Sequence, residues 1–401
     1  TGGATVNYDE RLNRRVREMP VSGIRKFFDI AAEMKDCISL GVGEPDFVTP
    51  WEIREAAIKS IQSGKTAYTS NAGLIELRRE ISTYLKNRFG LDYAPEHEII
   101  TTVGASEAID MALRTLVTPG DEVLIPAPSY VSYAPNVSLV GGEPREIPLV
   151  AEERFTLTPE RLEAAITDKS KVLVFPFPNN PTGAIMTRDE IEKLVPVILK
   201  HDLLVISDEI YAELTYGGIS HVSIASFEGM RERTIVVNGF SKAFAMTGWR
   251  LGYFAAPEQI VRQAYKIHQY TIMCAPTFAQ YGGVAALKIS REDDFAMVKT
   301  MRDSYDRRRK FLHGEFNKMG LKCFEPRGAF YVFPSVEVTG LTGEEFAEKL
   351  LYVKHVAVVP GSAFGSSGKY FVRCCYATAM NDLKRAVALI REFLTENGWL
   401  K

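Results

Sequence analysis

Three polar clusters stand where short apolar runs end. Leu203-Leu204-Val205-Ile206-Ser207-Asp208-Glu209-Ile210-Tyr211 reads as a strand that delivers Asp208, with Tyr211 about one helical turn beyond. Val236-Val237-Asn238-Gly239-Phe240-Ser241-Lys242 reads as a second strand that delivers Lys242. Phe177-Pro178-Asn179-Asn180-Pro181-Thr182-Gly183 is a turn closing a third. Open α/β sheets bind their ligands at such strand ends. Each cluster alone is commonplace: a surface lysine, a helix-capping aspartate, an Asn-Pro turn. Together they compose a reactive set, because a partly desolvated lysine can lose its proton and condense with an aldehyde.

Pyridoxal phosphate is a cofactor that needs this set. It takes such a lysine and a carboxylate facing its pyridine nitrogen. It also takes donors at its phenolic oxygen, which a tyrosine and an asparagine can supply. Its phosphate must be held as well. Ile99-Ile100-Thr101-Thr102-Val103 reads as a strand running into Gly104-Ala105-Ser106-Glu107-Ala108-Ile109, a small-residue turn that opens a helix. Backbone N–H groups at a helix start suit a phosphate. Ser106 can add a hydroxyl and Arg250 a charge, although Gly104-Ala105-Ser106 by itself is equally an ordinary helix start.

Other chemistries fit less well. Gly64-Lys65-Thr66 ends like a phosphate-binding P-loop, but the first glycine of that motif falls on Lys59. Gly41-Val42-Gly43 lacks the third glycine of a dinucleotide fingerprint, since Asp46 stands there. The six histidines show no zinc-binding spacing, so no metal is expected. Lysine and arginine total 48 against 50 aspartate and glutamate, a net charge of −2 that implies neither nucleic acid nor an anionic membrane as partner. Cys37, Cys274, Cys323, Cys374 and Cys375 form no C-x-x-C pair, which favours a reducing compartment, the cytoplasm. Adjacent Cys374 and Cys375 are expected on opposite faces of a strand, one in the core and one partly exposed. No apolar run is long enough to cross a membrane, and no apolar targeting region leads the chain. Thr1-Gly2-Gly3 lacks an initiator Met and is left out of fold reasoning.

The elements that must position these residues follow from periodicity. A length of 401 residues suits two to three domains at about 150 residues each. A basic helical stretch covers Leu12 to Glu18, and helical spacing covers Ile53–Ile61 and Leu74–Phe89, the latter stopped by Gly90. Strands are expected at Glu98–Val103, Glu122–Ile125, Lys171–Phe175, Leu203–Ser207, Thr234–Asn238 and Leu251–Ala255. Asp189–Lys200 is an amphipathic helix with a kink at Pro196. This alternation argues for an α/β fold with a mostly parallel sheet covered on both faces. From about Asp293 charged helices dominate: Phe295–Lys318, Glu344–Leu351 and Ala379–Glu396. Short strands lie between them at Gly328–Phe333, Val356–Val359 and Phe371–Tyr376.

Ser241-Lys242-Ala243-Phe244-Ala245-Met246-Thr247-Gly248-Trp249-Arg250-Leu251-Gly252 resembles the active-site segment of class I and II aminotransferases, pyridoxal-phosphate enzymes of fold type I. The resemblance runs from Gly41-Val42-Gly43-Glu44-Pro45-Asp46-Phe47 to Phe371-Val372-Arg373. The lysine segment together with Asn180-Pro181-Thr182-Gly183 and Ser207-Asp208-Glu209-Ile210-Tyr211 is a very specific combination. It implies a large cofactor-binding domain, residues 49–290, with a mostly parallel seven-stranded sheet between helices. A smaller α+β domain, 291–401, and an N-terminal segment, 1–48, would pack together.

The resemblance also implies roles. Lys242 would form the Schiff base with the cofactor and shuttle the proton. Asp208 would keep the pyridine nitrogen protonated, and Tyr211 and Asn180 would bond the phenolic oxygen. Gly104, Ala105, Ser106 and Arg250 would hold the phosphate, with Ser241 also at the cofactor. Tyr130 would stack on the ring, a position that is often Trp in aspartate-using members. Tyr68 would reach the phosphate of a neighbouring subunit, making a homodimer with shared sites. Arg373 would pair with the substrate α-carboxylate, and the backbone at Gly43 would approach the substrate. No position matches the distal-carboxylate arginine of some relatives; Arg25 in Ser22-Gly23-Ile24-Arg25-Lys26-Phe27 is a candidate by location.

The implied reaction moves an amino group from an L-amino acid to a 2-oxo acid in two alternating halves. Ser22–Phe27, His268-Gln269-Tyr270 and Gly328–Ser335 resemble the bacterial and archaeal aspartate-type subgroup. That subgroup serves aspartate, aromatic amino acids and N-acetyl-diaminopimelate, with glutamate and 2-oxoglutarate as the default couple. A carbon–sulfur β-lyase on the same scaffold would use the same Lys242 and Asp208. A cofactor-sensing regulator would need a DNA-binding domain, and too few residues precede Gly41 to form one.

Overall fold

A computed structural model describes residues 5–400; Thr1-Gly2-Gly3 lie outside them. In chain order the strands are β1 (Ile38–Ser39), β2 (Ile99–Val103), β3 (Glu122–Ala127), β4 (Glu143–Pro148), β5 (Ser170–Phe175) and β6 (Leu204–Asp208). They continue with β7 (Thr234–Gly239), β8 (Leu251–Ala255), β9 (Tyr331–Val332), β10 (Val356–Ala357), β11 (Val359–Pro360) and β12 (Val372–Cys375). Seven of them form one sheet in the order β2-β8-β7-β6-β5-β3-β4. Only β8 runs against its neighbours, β2 and β7. The sheet is thus the mostly parallel seven-stranded one expected.

The parallel strands read as near-continuous apolar runs because helices cover both faces. The helix Gly104–Leu116 crosses from β2 to β3 and buries Ala108, Ile109, Met111, Ala112 and Leu113. These pack with Ile100, Val123, Val172, Val174, Ile206 and Ile235 of the sheet. Fully burying side chains of that size contributes roughly 1.5–3 kcal/mol each. The helix Arg188–Lys200 crosses from β5 to β6, opens on a Thr187/Glu190 capping box and carries Pro196 within it. The helix Ile75–Phe89 ends where Gly90 takes φ 67°. A left-handed stop of this kind suits glycine, which has no Cβ to clash.

Strand β4 was not expected. Its sequence, Glu-Pro-Arg-Glu-Ile-Pro, is polar, and Ile147 is its one buried residue. It lies at the sheet edge, where proline is tolerated because an outward amide has no ladder partner. The stretch Leu12–Glu18 is helical only from Arg14 to Glu18, where the Asn13 side chain accepts from Arg15 N at 2.9 Å and caps the helix; a further short helix, Tyr8–Arg11, precedes it.

The C-terminal strands are shorter than expected. Gly328–Phe333 contracts to β9, and Val356–Val359 divides into β10 and β11. Strand β1 pairs parallel with β10, Ile38 opposite Val356. Ile38 and Leu40 therefore share a core with Leu350, Val356, Cys374 and Leu383. The expectation that one of the two adjacent cysteines is partly exposed is corrected: Cys374 is 0% and Cys375 1% exposed. Strand β12 is the middle of a three-stranded sheet, β11-β12-β9, and Cys374 and Cys375 both belong to a buried core, so both of its faces are covered. All five thiols are free. No helix among the described residues is long and apolar enough to cross a membrane.

Candidate active site

A cavity of about 350 Å³ opens just beyond the ends of β5, β6 and β7. Pro176, Pro178 and Asn180 follow β5, Asp208 ends β6, and Ser241 and Lys242 follow β7. The turn after β2 adds Ala105 and Ser106, Arg250 adds its guanidinium, and β12 brings Arg373. Gly41, Gly43 and Glu44 form one wall, and the helix Gly23–Glu33 closes another with Ile24 and Phe28. The charged lining is Lys242, Arg250 and Arg373 against Glu44 and Asp208. A net cationic cavity favours an anionic occupant.

Lys242 donates to the backbone oxygen of Gly43 at 2.6 Å. Burial pushes its amine down to about 8, with Arg373 and Arg250 pushing the same way and Cys375 and Glu44 opposing. A large fraction of the amine is therefore neutral near pH 8. Asp208 is buried and accepts from Tyr133 Oη at 2.5 Å and from Ile210 N at 3.2 Å. Burial raises its carboxyl above the ordinary range, while both hydrogen bonds pull it back down. Tyr211 Oη lies 2.7 Å from Tyr331 Oη, and burial raises the Tyr211 phenol well above its usual value.

Arg373 is 4% exposed. It donates from Nη1 to Asn180 Oδ1 at 2.8 Å and from Nη2 to Gly41 O at 2.7 Å. The rings of Tyr331 and Phe364 lie 4.4 and 5.0 Å from its guanidinium carbon. Its Nε is buried without a hydrogen-bond partner. No carboxylate among the described residues pairs with it. A buried cation left this way is costly and calls for an anion.

The turn after β2 depends on two glycines. Gly104 takes φ 68°, and a Cβ there would meet Arg250 Nη2 at 2.6 Å. A Cβ on Gly252 would meet Ala105 N at 2.5 Å. Arg250 itself is held at φ 51°, a strained conformation for a residue with a side chain. Its Nη2 lies 3.4 Å from Ser106 Oγ. Backbone amides, a hydroxyl and a guanidinium thus converge at one helix start.

A family described as aminotransferase class I and II matches residues 35–390. This chain belongs to the class I and II aminotransferases. The Bacillus subtilis protein YugH is 51% identical over 96% of this chain and 98% of its own length. An aspartate aminotransferase of Pyrococcus abyssi is 48% identical over 94% of this chain and 96% of its own. The crystal structure of an aromatic aminotransferase from Pyrococcus horikoshii superposes with a TM-score of 0.89 at 46% identity. That match covers 93% of this chain and 100% of that one. The protein is a transaminase that uses pyridoxal phosphate.

The aminotransferase cavity fits that cofactor. The phosphate suits the Gly104–Ser106 turn, where a Cβ would fill the space that the guanidinium of Arg250 occupies. A buried carboxylate and a lysine with a lowered pKa stand at two further strand ends. No group of three His, Cys, Asp or Glu among the described residues could hold a metal ion.

Among the residues singled out from sequence, Gly43, Ala105, Ser106, Tyr130, Asn180, Asp208, Tyr211, Ser241, Lys242, Arg250 and Arg373 line this one cavity. Gly104 stands directly before it in the same turn. Arg25 and Tyr68 are exposed and do not line it. Arg25 is one residue from Ile24 on a helix, and that step of about 100° turns it away from the face that Ile24 and Phe28 present. Tyr133, Tyr331, Ile24 and Phe28 were not singled out. Ile24 and Phe28 stand at i and i+4, the spacing of one helical face, and Tyr133 follows Tyr130 by three. Tyr331 carries no signal of its own in an apolar run.

Proposed function

We propose that this cavity runs both halves of a transamination between an L-amino acid and a 2-oxo acid, with glutamate and 2-oxoglutarate as the shared couple. The observation that carries the reading is Arg373, buried without a carboxylate partner beside a lysine whose amine is pushed down to about 8. The substrate α-carboxylate is the anion that Arg373 lacks, and a planar guanidinium suits it. Gly104, Ala105, Ser106 and Arg250 hold the cofactor phosphate. Tyr130 lies on its ring, Asn180 and Tyr211 bond its phenolic oxygen, Asp208 holds a proton at its ring nitrogen, and Ser241 stands beside the lysine. Bound there, pyridoxal phosphate supplies an aldehyde for the amino group and a conjugated ring that accepts an electron pair. Lys242 Nζ takes the proton from the substrate α-carbon as general base and returns one in the reverse half. Backbone at Gly43 borders the substrate and orients Lys242.

The side chain of the second substrate faces Ile24 and Phe28. Lys242, Arg250 and Arg373 are the cations of the cavity and each already has a task, so side-chain selectivity falls to the apolar wall. We therefore propose that apolar and aromatic amino acids are preferred over aspartate, whose single side-chain methylene covers less of that wall than the two of glutamate. Burying a large apolar side chain is worth roughly 1.5–3 kcal/mol, which corresponds to a preference of about tenfold to a hundredfold. Steady-state kcat/KM for phenylalanine, tyrosine and aspartate with 2-oxoglutarate tests this, and Phe28→Ala should lower the aromatic values about tenfold. A preference for aspartate would sink the apolar reading and bring Arg25 or a partner subunit forward as the source of a cation.

We further propose a homodimer. Tyr68 is 76% exposed, and Tyr270, Trp51, Ile58 and Phe278 are exposed as well. The helices Trp51–Gln62 and Thr277–Glu292 that carry the last three pack against each other. An exposed apolar face of this extent marks an interface. Tyr68 would then reach the phosphate bound by its partner. Mixing Tyr68→Phe and Lys242→Ala chains should recover activity above either parent, since each hybrid dimer holds one wild-type site. No recovery contradicts shared sites. The division at residues 48 and 290, with the N-terminal segment covering the substrate, is part of the same proposal, as is a cytoplasmic location, which five free thiols support.

A further inference from the structure

His268 lies in the last turn of the helix Glu258–Thr271 and is 0% exposed. Its Nδ1 is 2.6 Å from Glu107 Oε2, and its Nε2 is 2.7 Å from the backbone oxygen of Asn71. A carbonyl oxygen only accepts, so Nε2 must carry a hydrogen. Glu107 already accepts from Val103 N through Oε1 at 2.8 Å. One hydrogen lies between Glu107 Oε2 and His268 Nδ1, so both ring nitrogens are engaged. Breaking either contact would leave a buried polar group unpaired, and an unmade buried bond is expensive.

The two partners of His268 sit on functional elements. Glu107 is the residue after Ser106, in the first turn of the helix that opens at Gly104. Asn71 belongs to the loop that carries Tyr68. That loop is fixed elsewhere by Ala72 O accepting from Thr101 N at 2.9 Å and by Thr69 Oγ1 accepting from Gln280 Nε2 at 3.0 Å. His268 thus clamps the phosphate turn to this loop.

We propose that His268, held between Glu107 and the Asn71 backbone through its two ring nitrogens, is a positioning residue for the cofactor phosphate. It fixes Glu107, and through Glu107 the turn whose amides face the cavity. The inference rests on the reading that the Gly104–Ser106 turn and Arg250 hold that phosphate.

The test compares binding of pyridoxal phosphate and of unphosphorylated pyridoxal to cofactor-free protein. His268→Gln should raise the Kd of pyridoxal phosphate roughly ten- to a hundredfold, the effect of leaving a buried polar group without its partner. It should leave the Kd of pyridoxal within about twofold, because both elements that the clamp joins are read as meeting the cofactor through its phosphate. Equal losses for both would mean a general structural role and overturn the proposal, as would no loss for either. Glu107→Gln, which keeps the side-chain shape, should show the same split if His268→Gln fails to fold. If the wild type itself binds pyridoxal as tightly as pyridoxal phosphate, the phosphate reading of the turn fails instead.

Discussion

Lys242→Ala is expected to lower kcat for transamination about 10⁴-fold, the upper range for a positioned acid–base group that also acts as nucleophile. No other side chain can substitute for it. Arg250 and Arg373 line the same cavity, but a guanidinium does not release its proton. Tyr211 is close, and burial drives its phenol further from ionisation. Steady-state assay of the variant checks this, and a loss under tenfold would remove Lys242 from the chemistry. The same change alters the pH dependence of stability in cofactor-free protein. The amine titrates at about 8 in the folded chain against 10.5 ordinarily, so the folded state binds fewer protons in that window. Stability from this group therefore rises with pH between those values. Below about 8 the wild type carries a penalty of roughly 3 kcal/mol that the alanine variant lacks. The stability of wild type relative to variant should increase from pH 8 to pH 10.5.

Asp208→Asn is the second large effect. Asparagine keeps the shape, and its carbonyl oxygen can still accept from Tyr133, so the fold should hold. What is lost is the negative charge at the end of β6. Removing one well-placed electrostatic partner of a developing charge costs about 10² to 10³ in kcat. Burial raises this carboxyl, and the Tyr133 hydroxyl and the Ile210 amide pull it back down. A kcat within tenfold of wild type, with an unchanged melting temperature, would show that the ring nitrogen does not depend on this carboxylate.

Much of this site was legible in the sequence because sheet chemistry and site chemistry coincide. Asp208 and Lys242 are polar residues at the ends of apolar runs, and an α/β sheet turns such ends toward one crevice. The Gly104–Ser106 turn was legible for the same reason, as small residues between a strand and a helix. Strand β4 was not, because an edge strand buries one side chain and has no apolar run to show. Tyr133 and Tyr331 were hidden in another way. Each acts on a functional side chain, Tyr133 on Asp208 and Tyr331 on Tyr211 and Arg373, from an element distant in sequence. Pattern along the chain carries no information about such pairs. Arg25 was a candidate by its location in the N-terminal segment, whereas the helix turns its neighbours Ile24 and Phe28 toward the cavity. The second buried cysteine reflects packing against both faces of β12, which only the tertiary structure reveals.

The most direct test of transamination at this cavity is the near-visible absorption spectrum of the purified holoenzyme before and after glutamate, with no oxo-acid acceptor present. The expected result is conversion of the aldehyde form of the cofactor to its amine form, with one equivalent of 2-oxoglutarate released per site. Restoration of the first spectrum by an added 2-oxo acid would complete the cycle. A spectrum that stays unchanged with glutamate, aspartate and phenylalanine alike, with no oxo acid released, would contradict the account.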